Sequence, residues 1–129
     1  MKADNDLDVW VEHAEDDFNA AGKLLRGKKP STFGACFHAQ QCAEKYMKAL
    51  LESKRIRFPF THDLILLNMK CISAGITINV EDKLLELLSA YAVAARYDRE
   101  SPSLEDAKEA QKIAAEVRKF ARKFLGLKK

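Results

Sequence analysis

The sequence predicts an all-α fold, a five-helix up-and-down bundle, on three observations. Apolar residues recur three and four positions apart through five segments. Each segment is bounded by a capping residue or by Gly or Pro. The one β-branched run, Ile76-Thr77-Ile78, has no second run to pair with, so it reads as a connection. Links that are mainly short or moderate favour antiparallel neighbours.

The first helix runs from Asp6, a capping residue, to Arg26, with Gly27 as its left-handed stop. Trp10, Ala14, Phe18, Ala21 and Leu25 form its apolar side, and Glu12, Glu15 and Asp16 its solvated one. Lys28-Lys29-Pro30 turns the chain, and Ser31 caps a central helix to Lys54. At 100° per residue that helix has a broad apolar arc containing Phe33, Cys36, Ala39, Ala43, Met47, Leu50 and Leu51. Its polar residues, Gly34, His38, Gln41, Lys45, Lys48 and Glu52, fall within roughly 80°. Only that stripe is expected to meet water. Gln40 interrupts the apolar arc, with Glu44 one turn on at its edge. A buried amide without partners costs about 1–3 kcal/mol, so Gln40 is expected either to be a satisfied core amide that sets helix register, or to reach a partner chain or ligand.

Arg55 to Phe60 contains a proline and no sustained period, which marks a loop. Thr61 is expected to cap a short helix to about Ser73, with Leu64, Leu67, Cys71 and Ile72 inward and Gly75 after it. Asn79 is expected to cap the fourth helix, which ends near Tyr97 and buries Leu84, Leu87, Leu88, Tyr91 and Ala95. Ser103 and Asp106 suggest a capping box for the last helix, Leu104 to Leu125. It is expected to bury Ala107, Ala110, Ala114, Val117, Ala121 and Phe124 beneath a basic stripe of Lys108, Lys112, Lys119, Arg122 and Lys123. Half of that stripe is what any helix C-terminus favours.

The 129 residues are expected to form one domain spanning 1–129, able to bury roughly two thirds of its unfolded surface. Apolar residues make up 47% and charged residues 32%, unlike a disordered chain. A net charge of +3 is too small to argue for nucleic acid by itself. No run of about 18 apolar residues and no secretory signal is visible, so no membrane partner is expected and the location is expected to be cytoplasmic. Cys36, Cys42 and Cys71 lack paired spacing and read as reduced core thiols. His13, His38 and His62 are scattered singly, which gives a metal site no support, and no cofactor is expected.

FHAQQCAEKYMKALLESK, then THDL at Thr61–Leu64 and ARY at Ala95–Tyr97, resembles the HEPN domain family over about Trp10 to Leu125. The most specific part is Gln40, Gln41, Glu44 and Lys45, with Lys48 one turn on, which the resemblance assigns a structural or interface role. Such proteins are small helical modules often paired with minimal nucleotidyltransferases. The resemblance therefore implies a homodimer, or a partner of such a subunit in a toxin–antitoxin-like pair. Catalytic members cleave RNA without metal, using an Arg, four to six arbitrary residues, then His, paired across a dimer. Arg96 matches that arginine, but positions 101 to 103 are Ser101, Pro102 and Ser103. Starting from Arg99 gives Leu104, Glu105 and Asp106. Serine cannot replace an imidazole that titrates near neutrality, so no catalytic residue is expected.

Strict alternation of five helices would gather the end of the second, the start of the third, the end of the fourth and the start of the fifth at one pole. Arg55, Arg57, His62, Arg96 and Arg99 would then converge to bind phosphate beside two helix N-termini. Phe58 and Tyr97, with Phe60 near them, would stack on bases. Alternatively, the aromatics plug the bundle end while the arginines pair with Asp63, Asp98 and Glu100. The sequence thus points to a non-catalytic nucleotide- or RNA-binding module. The alternatives are an unconventional RNase, with His62 approaching from its loop, and a purely structural partner.

Overall fold

The computed structural model describes the backbone of residues 2–97 and 101–128, and the side chains of 6–93 and 101–128. Helical periodicity becomes five helices: α1 (Lys2–Leu25), α2 (Thr32–Ser53), α3 (Leu64–Ser73), α4 (Asp82–Tyr97) and α5 (Leu104–Phe124). The fold is all-α, and no strand occurs among the described residues.

Local chemistry sets most boundaries. Ser31 caps α2 by accepting the Gly34 N–H at 3.3 Å. Ser103 and Asp106 form a complete capping box on α5, with bonds of 3.0 and 3.4 Å. Gly27, Gly75 and Gly126 take left-handed φ values just past their helices.

Three starts differ from expectation. α1 begins at Lys2 rather than Asp6, because nothing in Lys2-Ala3-Asp4-Asn5 breaks a helix and the capping preference of Asp6 is a weak local signal. Asp63, not Thr61, caps α3: its Oδ1 accepts the N–H groups of Ile65 and Leu66 at 3.0 and 3.2 Å, while Thr61 Oγ1 accepts that of Asp63. α4 begins at Asp82 rather than Asn79, because Ile76, Ile78 and Val80 are drawn into the core as an irregular plug.

α2 packs against all four other helices. Its Ala35, Cys36, Ala39, Ala43, Met47, Leu50 and Leu51 are buried, whereas Phe33, on the same predicted arc, is 46% exposed in the first turn. Ile72 and Phe124 are likewise exposed near helix ends, where no neighbour continues. In α4 the buried stripe is Leu85, Leu88 and Ala92, with Leu84, Leu87 and Tyr91 half-buried; the side chain of Ala95 lies outside the described residues.

Polar side chains fasten α1, α2 and α5 together. On α1, Glu15 receives Arg118 at 2.7 and 3.0 Å and the Tyr46 hydroxyl, so it does not belong to a solvated face. Burial alone pushes the Glu15 carboxyl up, but the Arg118 and Tyr46 hydrogen bonds and the nearby guanidinium charges outweigh it and hold the group below its ordinary value. Arg122 turns inward to the Tyr46 oxygen at 3.2 Å, which removes it from the basic stripe of α5. Asp17 pairs with His38 at 2.7 Å and Lys45 at 2.6 Å.

Helix directions follow from such pairs. α1 and α2 are antiparallel, since Asp17 meets His38 and Lys45 while Trp10 lies by Lys48. α4 and α5 are antiparallel, since Tyr91 bonds Glu109 at 2.9 Å while Leu84 shares a groove with Ile113 and Glu116. α2 and α5 run the same way: Asp106 acts on Cys36, Arg122 meets Tyr46, and Lys54 lies 6.0 Å from the Phe124 ring.

Candidate functional site

Gln40, Glu44 and Lys48 stand at every fourth position of α2 and so share one face. All three are buried, at 6%, 2% and 3% exposure. Lys48 therefore does not belong to the water-facing stripe. Its ammonium lies 2.9 Å from Glu44 Oε2 and sits among aromatic rings, 5.2 Å from Trp10, 5.9 Å from Phe58 and 5.8 Å from Phe60.

What covers this face is residues 54–63, a strap that doubles back along α2. Arg55 makes the reversal at φ 57°, a region few non-glycine residues occupy, and Ile56 N–H bonds the Leu51 carbonyl at 2.9 Å. Beyond it the chain has no regular structure, and burial alternates from Ile56 to Pro59. Ile56 and Phe58 turn inward, Phe58 lying edge-on to Trp10 at 6.2 Å; Arg55, Arg57 and Pro59 stay exposed. At the far end, Gln40 Nε2 donates to the His62 carbonyl at 3.0 Å, and His62 Nδ1 lies 3.0 and 3.2 Å from the two Glu44 oxygens.

Gln40 is thus a satisfied core amide, which also receives the Gln41 amide at 2.8 Å. Gln41 reaches Glu44 as well, at 3.3 Å, whereas Lys45 turns away to Asp17. Glu44 collects one ammonium, one imidazole and two amides, all of them donors, which is what a buried carboxylate requires. His62 is held by this carboxylate yet its side chain is 62% exposed. Phe60, 5.9 Å from that imidazole, is 94% exposed.

The strict alternation of helices on which the expected convergence rested does not occur. Because the strap climbs back from Lys54 to the level of Gln40 and Glu44, it takes the place of an ascending helix. α4 then starts at the end where α2 finishes, and its C-terminus reaches the start of α5, near Cys36. From Cys36 to Lys54 is eighteen residues of helix, about 27 Å at 1.5 Å each. Arg55 and Arg57 therefore begin the strap at the end where α2 finishes, while the backbone of Arg96 and Tyr97 belongs to the end where α2 starts, toward which the strap carries His62. The side chains of Arg96 and Tyr97, and all of Arg99, Asp98 and Glu100, lie outside the described residues. Asp63 is engaged as the α3 cap. Arg55 and Arg57 have no ion-pair partner among the described residues.

Sequence reading missed the inward turn of Lys48 and the part played by Trp10. The four-residue spacing of Gln40, Glu44 and Lys48 was the available signal. Among the described residues, no group of three or more His, Cys, Asp and Glu is placed to hold a metal ion, and no helix is long and apolar enough to cross a membrane.

Fold and site together define a small helical module with a cationic and aromatic strap laid over a buried polar ladder. The chain belongs to the HEPN domain family, whose model matches residues 7–124, and so to a family of nucleotide- and RNA-related modules. No curated protein and no solved structure matches it.

Proposed function

We propose that the protein is a non-catalytic nucleotide- or RNA-binding module whose ligand lies along the 55–62 strap. The observation that carries this reading is the exposed Phe60 ring on the same strap as exposed Arg55, Arg57 and His62. Cations that follow a backbone and an open aromatic face are what a single strand needs, since base stacking on one ring is worth about 1–3 kcal/mol. The lack of a histidine at positions 101 to 103 supports binding without the family's cleavage chemistry.

Fluorescence anisotropy with a labelled single-stranded RNA tests it. Affinity falls steeply with salt, and the double variant Arg55→Ala/Arg57→Ala flattens the slope of log K on log salt by about 1.4, the share of two single-strand phosphate contacts. Arg96→Ala, at the other end of α2, leaves binding unchanged. An affinity lost in Arg96→Ala and kept in the double variant would move the site to the α4–α5 end.

Such a module works as a homodimer or beside a minimal nucleotidyltransferase, in a toxin–antitoxin-like pair. Met69 and Ile72 on α3 and Val93 on α4, each more than half exposed, support an apolar contact of that kind. Light scattering of the isolated chain at tens of micromolar reads a dimer mass if the partner is a second copy. A monomer mass directs the search to the nucleotidyltransferase.

A further inference from the structure

Taking the strap as an RNA-binding face, we propose that His62 selects RNA over DNA by accepting a hydrogen bond from the ribose 2′-hydroxyl. Glu44 fixes the orientation of the imidazole and, in the neutral ring, the tautomer that can accept. An ionised carboxylate has no proton to give, so the His62 Nδ1 that lies 3.0 Å from it is the donor. The charge of Glu44 is already balanced by Lys48 at 2.9 Å, and the Gln40 and Gln41 amides donate to it as well. With Nδ1 as the donor, the neutral ring is the tautomer that leaves Nε2 without a proton. In that neutral tautomer Nε2 has a free lone pair, directed away from the buried carboxylate on a side chain 62% exposed.

The neighbours give this acceptor its use. Arg55 and Arg57 can only donate, and phosphate, which they suit, is common to RNA and DNA. The 2′-hydroxyl is the group that separates the two. Phe60 stands 5.9 Å from the imidazole with the ring planes at 65°. A base stacked on the Phe60 face brings its own ribose to the imidazole edge, where Nε2 meets a hydroxyl in RNA and a bare methylene in DNA.

The test compares labelled oligouridine, oligodeoxyuridine and 2′-O-methyl oligouridine by anisotropy at pH 8, above the ordinary histidine range. All three carry the same base, so discrimination among them reports on the sugar alone. Wild type is expected to bind the ribose form about tenfold tighter than either analogue, the worth of roughly one hydrogen bond. His62→Ala brings the ratio to about one. Equal affinity of wild type for all three oligomers overturns the selection while leaving the strap as the binding face. A preference that survives in His62→Ala removes His62 from it. Failure of every oligomer to bind overturns the strap reading itself, and the selection with it.

Discussion

Glu44 is the residue on which the strap and α2 both depend. Its carboxylate keeps the Lys48 ammonium company in a place where water does not reach either. Glu44→Gln leaves that ammonium without a counter-charge, and removing one member of a buried pair costs about 3–5 kcal/mol. Denaturant unfolding should show such a loss, and Glu44→Gln/Lys48→Met should recover much of it, since no charge is then stranded. Gln40→Leu costs less, about 1–3 kcal/mol, because it breaks the bond to the His62 carbonyl, leaves that acceptor unpaired and removes one donor from Glu44. A fully stable Gln40→Leu would mean that the strap is held without the Gln40 amide, by its other contacts. The thiols add nothing reactive here: burial pushes Cys36 and Cys71 up to about 11, Asp106 adding to the effect at Cys36, and Cys42 is raised further.

Among the elements, those set by adjacent residues were legible in the sequence. Ser31 and the Ser103–Asp106 box lie within three residues of the groups they satisfy, so spacing alone located both helix starts. Ser103→Ala should accordingly destabilise the fold by about 1 kcal/mol in the same unfolding measurement, and a loss near zero would show that α5 is fixed by packing alone. Asn79 misled because Ile78 and Val80 beside it gain more by entering the core than a cap would give. The strap was the least legible element. Its path is decided by Gln40 and His62, 22 positions apart, and no local periodicity encodes a contact of that kind. Lys48 shows the same limit: a wheel places it beside Glu52 and Lys45, but only the returning strap supplies the rings that cover it.

For the whole molecule, parity was the assumption that failed. Five helices were correctly counted, yet one non-helical return between α2 and α3 moved the end of α4 to the opposite end of α2 from Arg55. What ties the ends together is instead the Glu15 cluster, which joins α1, α2 and α5 through Tyr46, Arg118 and Arg122. Since the folded-state value of Glu15 lies below its unfolded one, its contribution is complete above the ordinary carboxylate range and is lost as pH falls through the depressed folded value. Stability should therefore drop on acidification from the ordinary range downward, and Glu15→Gln should flatten that part of the profile. An unchanged slope in the variant would assign the acid sensitivity to other carboxylates.

The claim at the centre of this account is that the 55–62 strap, and not the junction of α4 and α5, is the ligand face. Titration of isotopically labelled protein with a short single-stranded RNA, followed by NMR, tests it most directly. Amide shifts are expected to concentrate at Arg55, Arg57, Phe60 and His62, with the Trp10 indole N–H moving as the rings over Lys48 adjust. Shifts largest at Arg96 through Leu104, with the strap unmoved, would contradict it.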